Sequence, residues 1–302
     1  MGSGGVGGYF GGRLAVAGND VTFIARGRHL DAIRKRGLRI ESRDLGDALV
    51  HPASASDDPA EVGPVDTVVI GVKLWDTEAA GKAILPMLGP ETTVVSLQNG
   101  VECDDILAGI VGDDRLIGGV AFIASSVAEP GVIRHIGTMQ RVVLGERGGG
   151  TSERVDALTK ALLDGGVDAE SSENIERVIW EKFVFLVALS ATTTSLRLTL
   201  GPIREDPAHR AMLLGAMRET VAVARAKGID LPEDYADRRM EFVDSLPADM
   251  TSSMHHDLNA GNPLEVAWLS GAVVRLGEQA GVATPVNASV AEQLAPLAAP
   301  HS

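Results

Sequence analysis

The chain opens with MGSGGVGGYFGG (residues 1–12), and this stretch decides how the first half of the chain is expected to fold. Gly2, Gly4 and Gly7 are spaced as G-x-G-x-x-G, the turn that holds the pyrophosphate of a dinucleotide at the start of a helix. The motif alone is weak in a sequence with 35 glycines, but a helical pattern and then a strand pattern follow it directly. We therefore predict a dinucleotide-binding turn formed by these glycines and Ser3.

The strand that normally precedes such a turn is missing, because only Met1 stands before Gly2. In a doubly wound sheet the first strand is central, with neighbours on both sides. Losing about five buried aliphatic side chains would remove on the order of 10 kcal/mol, as much as the whole stability of a typical domain. We therefore expect a truncated first strand, with a short Ile/Val-rich run upstream in the native chain.

The rest of the first half alternates apolar β-like runs with helical patterns. Residues 65–73 (VDTVVIGVK) and 92–100 (TTVVSLQNG) read as strands covered on both faces. This alternation predicts an α/β fold with a parallel, doubly wound sheet. From Ile175 onward the patterns are helical. We therefore predict a dinucleotide-binding domain over residues 1–167 and an all-α domain over residues 168–302.

Composition excludes several classes of partner. The net charge of −14, from 27 basic and 41 acidic residues, argues against nucleic acid or an anionic membrane as the main partner. The apolar runs are shorter than the roughly 20 residues that span a bilayer, and no secretory signal pattern is present. The single cysteine, Cys103, fits a reducing compartment. We expect a cytoplasmic protein with a small-molecule substrate, bound by local basic residues if it is anionic.

The end of the first predicted strand indicates which dinucleotide is bound. An acidic residue near this position would bind the ribose 2′-hydroxyl of NAD. Here the position holds Arg26, with Arg28 close by. A guanidinium group suits a 2′-phosphate, because its fork of donors matches the phosphate oxygens. The alternative is that both arginines are ordinary solvated charges; the prediction is NADP(H).

Three polar residues stand where chemistry is expected. Lys73 and Asn99 each end a predicted strand, and ligands of open α/β sheets bind at the carboxyl ends of strands. Each also has an ordinary explanation, as a lysine reaching water and as a turn-forming residue before Gly100. Lys182 lies in RVIWEKFVFLVAL, where every residue from Phe183 to Leu189 is apolar. It is either at the solvated edge of a helix or in a partly buried pocket, where a lowered pKa would make it a usable general acid.

The segment DMTSSMHHDLNAGNPLEVAW carries a further group of polar residues. Ser253 and Glu265 flank a turn, so two helices could bring them to one cleft. His255 and His256 are adjacent to Asp257 and could suggest a metal site. Adjacent residues of a helix point to different sides, however, so the two histidines make a poor chelating pair. We interpret them as exposed polar residues and expect no metal.

Taken in order, these segments resemble the ketopantoate reductase (2-dehydropantoate 2-reductase) family over essentially the whole chain. The resemblance is carried by GSGGVGGYFGG, VKLWDT, LQNGVE, AEPGVIRHIG, WEKF, TSSMHHDL, EVAWLSGAVVRLGEQAGV and TPVN. The ordered set is specific, whereas no single piece is. The resemblance implies an N-terminal Rossmann domain, an all-α C-terminal domain, a substrate cleft between them, and NADPH-dependent reduction of a 2-oxo acid to a 2-hydroxy acid. It also suggests a homodimer formed through the helical domain.

The resemblance also implies roles for individual residues. The family's catalytic lysine falls on Lys182, which would protonate the developing alkoxide, and its glutamate falls on Glu265, which would hold the substrate and help orient the lysine. Ser253 falls on a serine that contacts the substrate carboxylate. Asn99 would lie near the nicotinamide ribose and the substrate, and Lys73 near the cofactor and the reacting centre.

Two positions depart from the family pattern. Well-studied members carry asparagines four and eight residues after the catalytic lysine, in the substrate site, and here these positions are Leu186 and Ser190. Leucine cannot hydrogen-bond the hydroxyl of ketopantoate, and such a loss costs about 1–3 kcal/mol. Three functions therefore stay open: a ketopantoate reductase of pantothenate and coenzyme A synthesis, a reductase of a more apolar carbonyl compound, and a catalytically inert dinucleotide-binding protein.

Overall fold

The computed structural model describes residues 1–298, and its internal contacts divide the chain into two compact units. Unit 1 comprises Met1–Asn99 and Cys103–Glu176. Unit 2 comprises Gly100–Glu102 and the chain from Arg177 onward. Unit 1 contains the β-sheet, and unit 2 is helical.

Unit 1 is built from strands and five α-helices. The strands are β1 (Thr22–Ile24), β2 (Leu38–Glu41), β3 (Ala48–Val50), β4 (Ser54–Ser56), β5 (Val65–Ile70), β6 (Leu88–Ser96), β7 (Leu116–Glu129), β8 (Val132–Glu146) and β9 (Asp168–Ser171). The helices are α1 (Gly5–Val16), α2 (Gly27–Arg36), α3 (Thr77–Ala83), α4 (Cys103–Val111) and α5 (Glu153–Asp164).

The main sheet is covered on both faces, as predicted for an α/β fold. Its strands run in the order β3-β2-β8-β7-β6-β5, and β9 pairs with β8. Val94 and Val95 are successive residues of β6 and belong to two different apolar clusters. The cluster containing Val95 includes side chains of α1, α2 and α5, whereas the cluster containing Val94 includes those of α4. Since successive side chains of a strand point to opposite faces, helices cover both sides of the sheet.

The predicted parallel sheet is parallel only in part, because the sheet is mixed. The pairs β5–β6 and β6–β7 are parallel, but β7 and β8 are antiparallel, as are β2 and β3. The reason lies in the connection: β7 and β8 are joined by the two residues Pro130 and Gly131, and Gly131 has φ +84°. A turn this short can join only antiparallel neighbours, whereas parallel strands need a long crossover.

The sheet is divided at the place where the first strand of a doubly wound fold would lie. Strands β1 and β4 form a separate parallel pair. Met1 and Gly2 bridge the two parts: the Met1 amino group donates to Val69 O (2.6 Å), and Gly2 N–H donates to Ile24 O (3.2 Å). The backbone around the glycine turn is thereby held by both parts of the sheet.

The first unit extends further along the chain than the sequence patterns indicated. The predicted boundary followed residue 167, whereas unit 1 continues to Glu176. The difference comes from β9, which pairs in parallel with β8 and completes the edge of the sheet. This strand is only four residues long and reads DAES, so it carries no apolar pattern that would identify it.

The described part of unit 2, which ends at Ala298, is all-helical apart from an isolated β-bridge between Leu264 and Ala298. Its helices are α6 (Ile175–Leu196), α7 (Leu200–Glu205), α8 (Pro207–Ala226), α9 (Tyr235–Ser245), α10 (Ser253–Ala260), α11 (Ser270–Ala280) and α12 (Pro285–Leu294). By length and composition α6 could cross a membrane, but 61% of its most apolar stretch is buried inside the protein, as in the core helix of a globular unit. It is the helix that carries Lys182.

Candidate functional site

The predicted pyrophosphate turn contains two positions at which only glycine fits and one that faces open space. Gly2 has φ +86°, and a Cβ atom at Gly7 would lie 2.3 Å from Gly2 O, so both positions require glycine. A Cβ atom at Gly4 would meet no protein atom within 4 Å. Gly4 immediately precedes α1, whose N-terminal N–H groups can bind an anion. The turn therefore combines two glycines needed for packing with one that leaves the backbone open to a ligand.

These different roles predict different results for the same substitution. Gly7→Ala should destabilise the protein by about 1–3 kcal/mol, because the new methyl group collides with backbone. Gly4→Ala should cost only about 0.5 kcal/mol, the effect of alanine before a helix, but should weaken NADPH binding about tenfold or more. Thermal unfolding and fluorescence titration with NADPH measure the two effects. Equal losses of stability, or unchanged NADPH affinity in Gly4→Ala, would contradict the assignment.

Ser3 connects this turn to the end of β1. Its N–H and its hydroxyl both donate to Ile24 O, at 3.0 and 3.1 Å. Arg26 follows two residues later, is exposed and directly precedes α2. The structure thus brings together the predicted pyrophosphate turn and the arginine predicted to bind a 2′-phosphate.

His29, which no sequence pattern distinguished, also holds the turn. Its Nδ1 accepts a hydrogen bond from Gly131 N–H (3.1 Å), and its Nε2 lies 2.8 Å from Ser3 O. Because a backbone N–H can only donate, Nδ1 is the acceptor and Nε2 carries the proton given to Ser3 O. Burial lowers the pKa of His29, which favours this neutral form. The imidazole therefore ties the glycine turn to the turn between β7 and β8.

Lys73 and Asn99 follow the carboxyl ends of two neighbouring parallel strands, β5 and β6. Ile70 pairs with Ser96 in the parallel ladder of β5 and β6, and each of the two predicted residues follows its strand end by three positions. The Lys73 ammonium lies 5.7 Å from the centre of the Trp75 ring, within the range of a cation–π contact.

The segment that leads to Lys73 packs against the glycine turn. Gly71 N–H donates to Met1 O (2.9 Å), and a Cβ atom at Gly2 would lie 2.6 Å from Val72 Cγ1. A Cβ atom at Gly71 would be 3.0 Å from Gly7 N. The predicted cofactor residues of unit 1 are therefore neighbours in one local structure.

In unit 2, α6 places Lys182, Leu186 and Ser190 along one stripe. The three residues are four positions apart, so they lie on neighbouring turns of the helix. Lys182 and Leu186 are half-buried, and Ser190 is buried. Phe183 and Val184, the next residues of the helix, belong to the core, and Phe183 is 1% exposed. Lys182 thus lies at the edge of an apolar core.

The helix that begins with Ser253 is fixed to α6 by residues that sequence reasoning misassigned or missed. Ser252 Oγ accepts from His255 N–H (3.1 Å) and lies 2.9 Å from Thr193 Oγ1. His255 Nδ1 lies 2.7 Å from Thr193 O and must donate to it. The interpretation of His255 as exposed is wrong: it is 8% exposed, because its ring is a structural link between α10 and α6.

Thr193 belongs to the same side of α6 as Lys182. Eleven residues correspond to about three helical turns, so both side chains point in nearly the same direction. Ser253, the first residue of α10, is exposed, and Glu265 is 7% exposed in the segment before α11. Ser253 therefore follows Ser252, which contacts Thr193 of α6. Thr193 lies on the same side of α6 as Lys182, about three turns further along the helix.

Cys103 and the adjacent histidines are the remaining residues that the sequence singled out. Burial raises the pKa of the Cys103 thiol to about 12, so the thiolate needed for nucleophilic or redox chemistry is not formed near neutral pH. In the described residues 1–298, no group of three or more His, Cys, Asp or Glu side chains could hold a metal ion. His256 faces Thr251 Oγ1 at 3.1 Å, away from the Thr193 contact of His255.

Comparison with known proteins assigns both parts of the chain to one group. Residues 1–149 match the sequence profile described as ketopantoate reductase PanE/ApbA, and residues 174–298 match its C-terminal profile. The chain is 33% identical to a 2-dehydropantoate 2-reductase of Mesorhizobium japonicum, covering 94% of this chain and 92% of that protein. It is 32% identical to an uncharacterized oxidoreductase, YkpB, of Bacillus subtilis, covering 96% and 95%. The crystal structure of 2-dehydropantoate 2-reductase from Geobacter metallireducens superposes with a TM-score of 0.91 at 31% identity, covering 98% of each chain.

Proposed function

The chain belongs to the ketopantoate reductase family of oxidoreductases, and from this premise we propose that it reduces a 2-oxo acid to the 2-hydroxy acid with NADPH. The first candidate substrate is 2-dehydropantoate (ketopantoate), reduced to pantoate in pantothenate and coenzyme A synthesis in the cytoplasm. The observation that carries the proposal is a half-buried lysine, Lys182, at the start of the apolar stretch Phe183–Leu189 of α6.

The residues of unit 1 fit a phosphorylated dinucleotide. The open backbone at Gly4 and the start of α1 would hold the pyrophosphate, and Arg26 would bind the 2′-phosphate. Ser3 fixes the turn relative to the strand end that leads to Arg26. Lys73 and Asn99, at the same edge of the sheet, are proposed to contact the nicotinamide end. Bound NADPH supplies the hydride for the carbonyl carbon.

Lys182 is the proposed proton donor. Its ammonium would give a proton to the carbonyl oxygen as negative charge develops there, and before transfer its positive charge would stabilise that oxygen. One hydride and one proton convert the ketone to the hydroxyl group, so no further reactant is needed. Ser253 is proposed to bind the substrate carboxylate, and Glu265 to hold the substrate and orient Lys182.

A second substrate class is favoured by one observation. Leu186, four residues after Lys182, is half-buried and apolar. A side chain at this place can pack against an alkyl or aryl group but cannot hydrogen-bond a hydroxyl group. A more apolar 2-oxo acid than ketopantoate would lose nothing at this position, whereas ketopantoate loses a contact worth about 1–3 kcal/mol.

A substrate panel tests the proposal and separates the two classes. NADPH oxidation is measured with ketopantoate and with 2-oxo acids that replace its hydroxymethyl group by alkyl or aryl groups. Turnover with ketopantoate at the highest kcat/KM supports the first candidate, and a preference for the apolar acids supports the second. Binding of NADPH without turnover of any member would leave an inert dinucleotide-binding protein and overturn the proposal.

A further inference from the structure

A buried glutamine, Gln98, joins the end of β6 to the turn that carries Lys73. It lies directly before Asn99 and is 9% exposed. Its side-chain Nε2 donates to Thr77 Oγ1 (2.9 Å) and to Val72 O (3.1 Å), with Lys73 O at 3.4 Å. A single amide group therefore contacts the carbonyl oxygens of Lys73 and of the residue before it.

The orientation of this amide is fixed by its other contacts. Gln98 Oε1 accepts from Ser96 Oγ (3.0 Å), and Ser96 Oγ accepts from Gln98 N–H (3.2 Å). Thr77 Oγ1 accepts from Gln98 and donates to Leu74 O (2.8 Å). Turning the amide over would place its oxygen against backbone carbonyl oxygens, which only accept hydrogen bonds. Every donor and acceptor of the side chain thus has a defined use.

The consequence of these contacts is a fixed relation between two proposed site residues. Lys73 follows β5 and Asn99 follows β6, and both lie in non-repetitive segments beyond the strand ends. The pairing of Ile70 with Ser96 fixes the strands, but it does not reach either residue. Beyond that pair, the backbone bond from Leu97 N–H to Ile70 O and the Gln98 amide connect the two segments.

We propose that Gln98 is a positioning residue for the reduction: it holds the turn over residues 71–77 so that Lys73 lies where turnover requires it relative to Asn99. Gln98 does not itself touch the substrate or the cofactor in this account. The inference rests on the proposed function, because Lys73 and Asn99 take their roles from it. A displacement of about 1 Å in a positioning group can cost up to about 10²-fold in rate.

The test uses a matched pair of substitutions. Gln98→Met keeps the length and volume of the side chain but removes the amide. Gln140→Met is the control, because Gln140 is 7% exposed, lies in β8 of the same unit and also donates to a backbone carbonyl, Gly166 O. Gln98→Met should lower kcat/KM about 10–100-fold with the best 2-oxo acid of the panel, whereas Gln140→Met should stay within about threefold.

A double-mutant cycle separates positioning from a general structural effect. If Gln98 acts through Lys73, then Gln98→Met should lower kcat/KM by less than about threefold in the Lys73→Ala background, because the residue that it positions is already gone. A purely structural defect would lower kcat/KM by the same factor in both backgrounds. Hydrogen exchange of the amides of residues 71–77 should be faster in Gln98→Met and unchanged in Gln140→Met.

Thr77→Val provides a second variant if Gln98→Met does not fold. It removes one acceptor of the amide while retaining Gln98, and should lower kcat/KM by a smaller factor, about 2–10-fold. If the wild type is active, either of two results would overturn this inference alone. The first is an equal kcat/KM for Gln98→Met and Gln140→Met, and the second is an undiminished effect of Gln98→Met in the Lys73→Ala background. A wild type that reduces no 2-oxo acid would overturn the proposed function and this inference with it.

Discussion

Replacing Lys182 with alanine should lower kcat for the best 2-oxo acid by about 10²–10⁴-fold, the largest kinetic effect expected from a single substitution in this chain. The dissociation constant for NADPH should change by no more than about threefold, because the proposed cofactor residues all belong to unit 1. Steady-state kinetics and fluorescence titration measure the two quantities on the same protein.

The size of the effect follows from the two roles of the ammonium group. In the proposed reaction it donates the proton that completes the alcohol, and its charge stabilises the oxygen while the hydride is transferred. Alanine removes both functions. Water can supply a proton but cannot replace a fixed positive charge at the edge of an apolar core, so part of the loss should persist at every pH.

Lys227→Ala is the matched control, since Lys227 is an exposed lysine at the end of α8 in the same unit. It should leave kcat within about threefold of the wild type. A Lys182→Ala protein that keeps near-normal kcat would remove the lysine from the chemistry. A loss confined to KM would reassign it to substrate binding.

Replacing Arg26 with alanine should raise the dissociation constant for NADPH about 10–100-fold, while that for NADH changes by less than about threefold. The reason is that a guanidinium–phosphate contact contributes about 1.5–3 kcal/mol, and NADH lacks the 2′-phosphate. Arg26 is exposed and precedes α2, so its removal should leave the free energy of unfolding nearly unchanged. Titrations with both cofactors give the ratio directly.

Arg238→Ala serves as the control for this comparison. Arg238 is an exposed arginine of α9, paired with Asp234 (2.7 Å), in the helical unit. Its loss should alter the affinity for neither cofactor. If Arg26→Ala weakened NADPH and NADH by the same factor, the arginine would act on the turn as a whole, and the assignment to the 2′-phosphate would be wrong.

Local patterns in the sequence were sufficient to predict the α/β class, the helical second unit and the family. The glycine spacing of residues 2–7 implies a close approach within the turn, and the structure has it between Gly7 and Gly2 O. The apolar runs before Lys73 and Asn99 indicated the two strands, although the strands end three residues earlier, at Ile70 and Ser96. The roles of Lys182, Glu265 and Ser253 stay predictions, which the experiments above test.

The features that sequence reasoning missed depend on contacts between distant segments. The antiparallel pairing of β7 with β8 follows from a two-residue turn, which the apolar pattern does not reveal. The short strand β9 forms only because β8 offers it an edge. His255 contacts Thr193, 62 positions away, and Gln98 contacts Val72, 26 positions away. A polar side chain in the sequence does not indicate whether a distant backbone group will satisfy it when buried.

The central claim is that this chain transfers a hydride from NADPH to the carbonyl carbon of a 2-oxo acid. Following a deuterium label from C4 of NADPH into the product tests this claim most directly. Two samples of NADPH, deuterated on one or the other face of C4, are incubated with the wild type and the best acid of the panel. We predict deuterium at C2 of the 2-hydroxy acid from one sample, with one label for each NADPH consumed. Product without deuterium from both samples, or no product despite bound NADPH, would contradict the account.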